Sequence, residues 1–418
     1  MFSRQRGCSQ WLQACTVLVC AQGLLTPVAA AQALALSLPD ALARGSERAP
    51  ELVLWDRQIE QVEARRNGAG ILLPVNPRLS LEARPGFSEK SLGYAATLDT
   101  QFDLGGAPSA RVSEVQRDVE LARAERRLER VSARLRVVDA YLGAQLGELQ
   151  AAEARAGLEL ARRVLDAADK RLEAGAGSEL ERTSAQVELA RIQASEQAAL
   201  RERDERLMQL REALDLPAHQ ALTLTTGVDT PAPLEAVNVY LDAAKKGHPE
   251  LLASQARLRS YKATQTRLER EVFPRLGLFA GVDAAPKSPV FGVLGVSGEL
   301  PVAQRNQGPR AVIARALETE RTRFELSDRR IAREIRAAWD AHARRLSEYS
   351  VLSQSALPAA ERTFELAEAG WRAGRFDWFR VALAARDLVE LRGARIAALS
   401  ALWTQRIVLA RAMGGDVP

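Results

Sequence analysis

Cysteine and histidine are scarce in this chain, and their positions exclude two classes of site. Among 418 residues the only cysteines are Cys8, Cys15 and Cys20. The three histidines are far apart in the sequence, at His219, His248 and His342. Beyond residue 20 the chain can therefore form neither a disulfide nor a thiolate zinc site. We predict no cofactor and no bound metal, so stability must come from packing.

The sequence also lacks a long apolar run and a strong net charge. Hydrophobic residues make up 47% and charged residues 27%, which suits a large core but is too polar for a bundle of membrane helices. The formal net charge of +5 is spread over alternating acidic and basic helix faces, which argues against nucleic-acid binding. If this chain crosses a membrane, it does so with strands.

No catalytic motif is recognisable. The stretch Gly68-Ala69-Gly70 lacks the further glycine and the strand-before-helix setting of a phosphate-binding loop. We therefore predict that the protein is not an enzyme, and that energy for any transport comes from another protein.

The first 31 residues have the pattern of a secretory signal peptide. Arg4 and Arg6 precede a mostly apolar stretch, and small residues at 29–31 precede Gln32. An uncleaved anchor is the alternative, although the stretch is shorter than the roughly 20 residues that span a bilayer. Lipidation at Cys15 or Cys20 is a further alternative, in a poor sequence context for acylation. We predict export and cleavage.

The sequence contains an internal repeat, with corresponding motifs about 198 residues apart. Pro50-Glu51-Leu52 returns 199 residues later as Pro249-Glu250-Leu251, and Pro77-Arg78-Leu79 returns 197 residues later as Pro274-Arg275-Leu276. We predict a first structural repeat over residues 32–216, an extended linker over 217–233 and a second repeat over 234–418. Each repeat contains a helix, two strands, a very long helix and a helix.

Residues that favour helix starts, together with the spacing of prolines and apolar residues, predict the approximate bounds of the helices. A capping box at Ser37 and Asp40 starts a helix predicted to run to about Val75. A second helix, from about 108 to 173, would be about 100 Å long at 1.5 Å per residue. Its heptad seam from Leu121 to Ala156, with further apolar residues off the seam, predicts a supercoiled helix between two neighbours. The second repeat predicts a matching rod over 309–373, kinked at Pro358.

Between the helices, segments 78–85, 91–104, 275–283 and 290–300 predict strands. In the first three, apolar residues alternate with polar ones, although the fourth is ambiguous. The polar positions that we predict to face a water-filled lumen are Glu82, Arg84, Asp99, Gln101, Asp103, Arg275 and Asp283. Alternation alone equally fits a soluble sheet with one buried face. In a membrane, four strands cannot close a barrel, so their edges must pair with other chains.

This order of elements, the duplication and the glycine turns between long helices resemble the TolC-type family of outer-membrane efflux ducts. The resemblance implies a mainly α fold with a small β part, in which a homotrimer forms a twelve-stranded transmembrane β-barrel above an α-helical tunnel. It also implies location in the bacterial outer membrane, contact with outer-membrane lipid, and two partners, a periplasmic adaptor and an inner-membrane, proton-driven pump. The stretch Arg305-Asn306-Gln307-Gly308 resembles the heavy-metal (cobalt-zinc-cadmium) efflux branch.

The turns after the long helices correspond, by this resemblance, to the periplasmic tip that narrows the tunnel. The tip and gate residues that we predict are Gly175, Glu181, Gly374, Arg375, Asp377 and Arg380. Some relatives have aspartates six and nine residues after the second glycine, but here these positions are Arg380 and Leu383, so that acidic ring is absent. The opposite charges of Glu181 and Arg380 suggest an ion pair within or between protomers. Two solvated helix-start residues are the alternative.

Trp378 and Phe379 are candidate contacts for the adaptor, with core packing as the alternative. Two other classes of protein remain open for the whole chain. A periplasmic adaptor would also be exported and helical, but with one helical hairpin between β-rich halves. An exported structural coiled-coil protein would lack the alternating strands.

Overall fold

The structure is a computed structural model that describes residues 33–85, 92–285, 288–298 and 300–415, with residues 46–48 described by their backbone alone. The predicted signal peptide, residues 1–31, and the predicted turn at residues 86–90 lie outside the described residues.

In the first half of the chain, a short strand and three helices lead to a strand pair and a helical hairpin. The elements are β1 (Leu34–Leu36), α1 (Leu38–Arg48), α2 (Pro50–Ala64), α3 (Arg66–Ala69), β2 (Arg78–Pro85), β3 (Leu92–Phe102), α4 (Ala107–Glu173) and α5 (Glu179–Ala213). At 67 residues α4 is about 100 Å long, so the predicted long rod is confirmed.

The second half of the chain follows the same order. Its elements are β4 (Leu222–Leu224), α6 (Val237–Gly247), α7 (Pro249–Arg270), β5 (Leu276–Ala284), β6 (Phe291–Gly298), α8 (Gln307–Val351), a π-helical turn (Leu352–Ala356), α9 (Leu357–Arg372) and α10 (Trp378–Met413). On this shared order we propose the division into repeats at 32–216 and 234–418. Strand β4 lies in the linker and pairs in parallel with β1.

The predicted single helix from Ser37 to Val75 is wrong in its extent. Its start is confirmed, because the Ser37 hydroxyl oxygen accepts a hydrogen bond from the Asp40 amide at 3.3 Å. The helix then breaks at Ala49, where ψ is 121°, since the residue before a proline is displaced from the helical region. After α3 the chain is irregular up to β2.

The two long rods are built differently. In the second rod the π-helical turn separates α8 from α9, just before Pro358. Proline lacks an amide donor and its ring collides with the preceding turn, and a wider π turn accommodates both effects. A π-helical turn therefore precedes Pro358, where we predict a kink; the kink itself stays a prediction, whereas α4 is uninterrupted.

Helix α4 is the central element and packs against α5, α7 and α10. Its off-seam residues Tyr141, Leu146 and Leu160 are buried, which confirms the prediction of neighbours on more than one side. The Tyr141 hydroxyl also donates to the Leu36 carbonyl at 2.9 Å, fixing β1 against the middle of the rod. Ala156, the last residue of the predicted seam, is exposed in the protomer, so packing at this end of the seam stays a prediction.

The four long strands form one antiparallel sheet in the order β2-β3-β5-β6. Strands β3 and β5 are central, so the two repeats join through them. Strands β2 and β6 are the edges of the sheet and have backbone groups available for pairing.

A buried histidine gives this fold a dependence on pH. His342 on α8 is 1% exposed, and its Nε2 atom has no hydrogen bond. Desolvation lowers the His342 pKa to about 4, and the nearby charge of Arg406 acts in the same direction. The unfolded chain binds this proton below about pH 6.5, whereas the folded chain binds it only near pH 4.

We therefore expect the free energy of unfolding to be largest above about pH 6.5 and to fall by up to about 3 kcal/mol between pH 6.5 and 4 because of His342. In a His342→Gln variant this part of the decrease should be missing, which thermal unfolding at several pH values would measure. His219→Gln, at an exposed position, is the matched control. Equal pH slopes for His342→Gln and the unmodified protein would contradict the assignment.

Candidate functional site

The far end of the two helical hairpins holds the predicted gate residues. Two turns, at residues 174–178 and 373–377, each place a glycine in the left-handed region, with φ of 69° at Gly175 and 71° at Gly374. The Gly175 amide donates to the Leu172 carbonyl and the Gly374 amide to the Trp371 carbonyl. We call residues 171–182 and 370–380 the tip.

A side-chain cap begins each helix that leaves the tip. The Ser178 hydroxyl oxygen accepts a hydrogen bond from the Glu181 amide at 3.2 Å. The Asp377 carboxylate accepts one from the Arg380 amide at 3.1 Å. Asp377 therefore has a local structural role: it caps the helix, and its negative charge interacts favourably with the helix dipole.

Arg171 connects the two turns and was missed at the sequence level. Its Nη1 donates to the Trp371 carbonyl at 3.0 Å, and its Nη2 donates to the Ala176 carbonyl at 2.9 Å. Its guanidinium also lies 5.1 Å from the centre of the Trp371 ring. A basic residue in the last turn of a helix, where carbonyls lack partners, is the signal that could have identified it.

The structure corrects the prediction for Trp378. Trp378 is 3% exposed and belongs to the core cluster that joins α4, α5, α9 and α10, so its ring cannot contact an adaptor on the surface of this fold. Phe379 is 53% exposed and meets Trp378 edge-to-face at 5.4 Å. At successive helix positions the two side chains point in different directions, and only Phe379 remains a candidate contact.

Glu181 and Arg380 do not meet within the protomer. Among the described residues, the Arg380 guanidinium lies 5.3 Å from the Phe376 ring and no ion pair joins it to Glu181. The Glu181 Oε2 atom is enclosed and accepts no hydrogen bond in the protomer. The predicted pair within one protomer is therefore wrong, and a pair between protomers stays a prediction.

On the sheet, five of the predicted lumen positions share one face, which we call the polar face. They are Glu82, Arg84, Asp99, Gln101 and Asp283. The Arg84 guanidinium bridges the Glu82 carboxylate at 2.8 Å and the Asp283 carboxylate at 3.2 Å. The bridge crosses β3 above Gly93, which has no side chain, and Ala95, whose side chain is small, so there is room for it.

Asp103 and Arg275 correct the remaining lumen predictions. Both lie just outside the strands, and Asp103 is buried. The Asp103 carboxylate pairs with Arg111 at 2.6 Å and with Arg275 at 3.1 Å. Their ion pairs connect the sheet to α4 through the buried Asp103 carboxylate, whereas the Arg275 side chain stays partly exposed, because both residues lie beyond the alternation of the strands.

The opposite face of the sheet, which we call the apolar face, is exposed over its whole width. One row of directly opposed residues crosses all four strands: Leu79, Leu98, Ala280 and Leu294. Leu294 is 88% exposed. No residue in the described part of the chain covers this surface, although a sheet in water keeps such a face buried.

Strand β6 explains why its sequence pattern is ambiguous. Val293 and Phe291 lie on the polar face, opposite Gly281 and Asp283, while Leu294 and Val296 lie on the apolar face. The strand is therefore apolar on both sides. The Phe279 ring, also on the polar face, occupies the space above Gly295, where a larger residue would collide with it.

None of the helices in the described ranges is long and apolar enough to span a bilayer. Within the same ranges, no three His, Cys, Asp or Glu side chains are grouped in a way that could hold a metal ion.

Comparison with known proteins finds similarity to an efflux-protein family, to a metal-resistance protein and to solved membrane channels. The family model "Outer membrane efflux protein" matches residues 74–215, which include β2, β3, α4 and α5. The cobalt-zinc-cadmium resistance protein CzcC of Cupriavidus metallidurans is 26% identical over 331 residues, covering 76% of each chain.

Solved structures have the same fold. The outer-membrane channel OprN superposes with a TM-score of 0.75 at 20% identity, covering 91% of this chain and 90% of its own. CusC, described in terms of transmembrane channel formation, superposes with a TM-score of 0.72 at 16% identity, covering 91% and 92%. At these identities the likeness concerns the fold.

Proposed function

We propose, on the premise that this chain is a member of the TolC-type outer-membrane efflux family, that it is the exit duct of a tripartite efflux system. It acts as a homotrimer in the bacterial outer membrane, with its helical tunnel in the periplasm. It conducts substrate passively from a pump-adaptor complex to the exterior and performs no catalysis.

One observation carries this proposal: an exposed apolar sheet face joined to helices about 100 Å long. Strands in lipid need a closed barrel because no water is available to satisfy their backbone groups. With β2 and β6 as its edges, the sheet closes when three copies pair β6 of one protomer with β2 of the next. The helices then continue the barrel as a periplasmic tunnel.

The polar face lines the lumen in this trimer, and the apolar face contacts lipid. A wide, water-filled conduit selects weakly among solutes, so selectivity belongs to the pump. The resistance protein CzcC is named for cobalt, zinc and cadmium. On this similarity we propose heavy-metal cations as the cargo. Sensitivity of a deletion strain to zinc, cobalt and cadmium, compared with organic toxicants, tests this part separately.

Membrane fractionation tests the duct itself. We expect a trimer that only detergent extracts, found in the outer-membrane fraction and forming pores in planar lipid bilayers. The periplasmic adaptor alternative has no support in the comparisons, which include a family model for outer-membrane efflux proteins and the outer-membrane channel OprN. A monomer released without detergent would instead favour a soluble coiled-coil protein.

At the tip we propose that Glu181 of one protomer pairs with Arg380 of the next and narrows the tunnel. The opposite charges of the two side chains, which do not meet within the protomer, support this role. We further propose that Gly175, Gly374, Arg375 and Asp377 shape the turns of the gate, and that Phe379 contacts the adaptor.

Charge reversal tests the gate. We expect Arg380→Glu to raise single-channel conductance in planar bilayers, because like charges at a closed contact repel each other. The double variant Glu181→Arg with Arg380→Glu should restore the original conductance, since the pair is then only exchanged. If the single variant conducts like the unmodified channel, or the double variant fails to reverse its effect, both residues are solvated helix-start residues.

A further inference from the structure

The edge strands of the sheet are too short for the lipid layer that the proposed function requires. Strands β2 and β6 have eight residues each, whereas transmembrane strands have about 9 to 11. At about 3.3 Å per residue and a tilt of about 40°, eight residues rise about 20 Å along the bilayer normal. The apolar band of such barrels is about 25 Å tall. The strand residues that the structure describes fall about two residues short of this height at each edge.

Two irregular segments at the base of the sheet carry exposed apolar side chains next to these strand ends. We call residues 71–75, before β2, and residues 300–302, after β6, the foot segments. Val75 is 50% exposed, Leu300 76% and Val302 77%. Residues 71–77 and 300–304 contain no charged side chain. The apolar surface therefore continues past the strand ends.

Two carbonyls at the start of the first foot segment, those of Ile71 and Leu72, accept hydrogen bonds from inside the protein. The Arg111 guanidinium donates to the Ala69 carbonyl at 3.1 Å and to the Ile71 carbonyl at 2.8 Å. The Leu72 carbonyl accepts from the Asp103 amide at 3.0 Å. Irregular backbone does not face lipid within the hydrocarbon core, so these contacts hold the start of the segment's backbone toward the protein and leave its apolar side chains as the part that can face lipid.

The second foot segment is fixed in a similar way. The Pro301 carbonyl accepts a hydrogen bond from the Arg305 side chain at 2.9 Å. Asn306, which follows the segment, donates from its side chain to the Leu268 carbonyl at 3.1 Å. The chain is thus fastened to the end of α7 while Leu300 and Val302 point outward and remain exposed.

We infer that the foot segments insert into the periplasmic leaflet of the outer membrane and complete the lipid-facing band where the edge strands end. This inference rests on the proposed function, since it needs the apolar face to contact lipid. Lipid is the occupant because the foot segments are continuous with that face, carry no charge, and have carbonyls at Ile71, Leu72 and Pro301 that accept hydrogen bonds from the protein. Mismatch between strand length and bilayer thickness provides the driving force.

The scarcity of cysteine allows a site-specific test. With Cys8, Cys15 and Cys20 replaced by serine, single cysteines are introduced as Val75→Cys or Val302→Cys and labelled with a nitroxide. Leu294→Cys marks the apolar face, and Val187→Cys marks an exposed position on α5, far from the sheet. The labelled full-length protein is reconstituted into palmitoyl-oleoyl phosphatidylcholine vesicles. Collision with oxygen, which concentrates in lipid, is compared with collision with a water-soluble nickel chelate.

We expect labels at 75 and 302 to collide preferentially with oxygen, as at 294, and the preference to reverse at 187. If 294 favours oxygen while 75 and 302 favour nickel, the foot segments are in water and the inference is wrong although the duct stands. Low collision with both reagents at 75 and 302 would place a neighbouring protomer there and also overturn it. Preference for nickel at 294 would refute the proposed function itself.

Discussion

Leu294→Arg is expected to prevent stable insertion of the barrel, at a cost of about 2 to 4 kcal/mol for each protomer. Leu294 lies near the middle of β6 on the apolar face and is 88% exposed in the protomer. An arginine there would face the hydrocarbon core, where its charge loses hydration and gains no partner. The substitution occurs three times in a trimer, so the free-energy costs of the three protomers add. The fraction of protein that folds into lipid vesicles as a heat-modifiable trimer measures it.

The neighbouring residue supplies a matched control. Val293 is in the same strand, with its side chain on the polar face, so Val293→Arg places the same charge in the water-filled lumen. We expect its free energy of folding to change by less than about 1 kcal/mol. Equal loss of trimer in the two variants would mean that the faces are assigned wrongly, or that neither face contacts lipid.

Trp378→Ala is expected to destabilise the tip by about 3 to 5 kcal/mol. Its ring is almost fully buried in the cluster that includes Val164, Ala185 and Phe364, and truncation leaves a cavity that the surrounding helices cannot close. Urea unfolding of the detergent-solubilised trimer, followed by the helical circular dichroism signal, measures the loss. The tip should unfold at lower urea concentration than the rest of the tunnel.

Phe379→Ala distinguishes packing from docking. Because Phe379 is exposed, its truncation should change the free energy of unfolding by less than about 1 kcal/mol while weakening association with the adaptor. The opposite result, with normal stability and lost adaptor binding in Trp378→Ala, would restore the original assignment of Trp378 to the docking surface.

Alternation in the sequence predicted the strands well because a pleated sheet converts it directly into two faces. Leu79, Leu81 and Leu98 lie on one side, and Glu82 and Asp99 on the other, as the pattern required. The rule fails at Asp103, where the strand has ended and tertiary contacts with Arg111 and Arg275 decide the position of the side chain. The alternation of apolar and polar residues does not show at which residue the backbone leaves the sheet.

Residues at the tip were harder to assign because their roles depend on which helices surround them. The glycine turns follow from chain geometry and were predictable. Whether Trp378 is buried depends on α4, α5 and α9, which are distant in sequence. Arg171 was missed for the same reason, since its partners include the Trp371 carbonyl, 200 residues away. A helical periodicity identifies apolar positions but not the neighbour that covers each one.

The π-helical turn at Leu352–Ala356 makes the two rods unequal in their tolerance of insertions and deletions. A π turn holds one residue more than the α turn that could replace it, and each residue of an α-helix advances the chain by about 100°. Deleting one residue there would let α8 and α9 join as a regular helix and would keep Phe364 and Trp371 directed toward their core, because only the extra residue of the turn is lost. Helix α4 has no such turn, so deleting one residue there would rotate every later residue by about 100° away from its packing partners. Length variation among natural relatives is therefore expected to occur at this turn in the second rod.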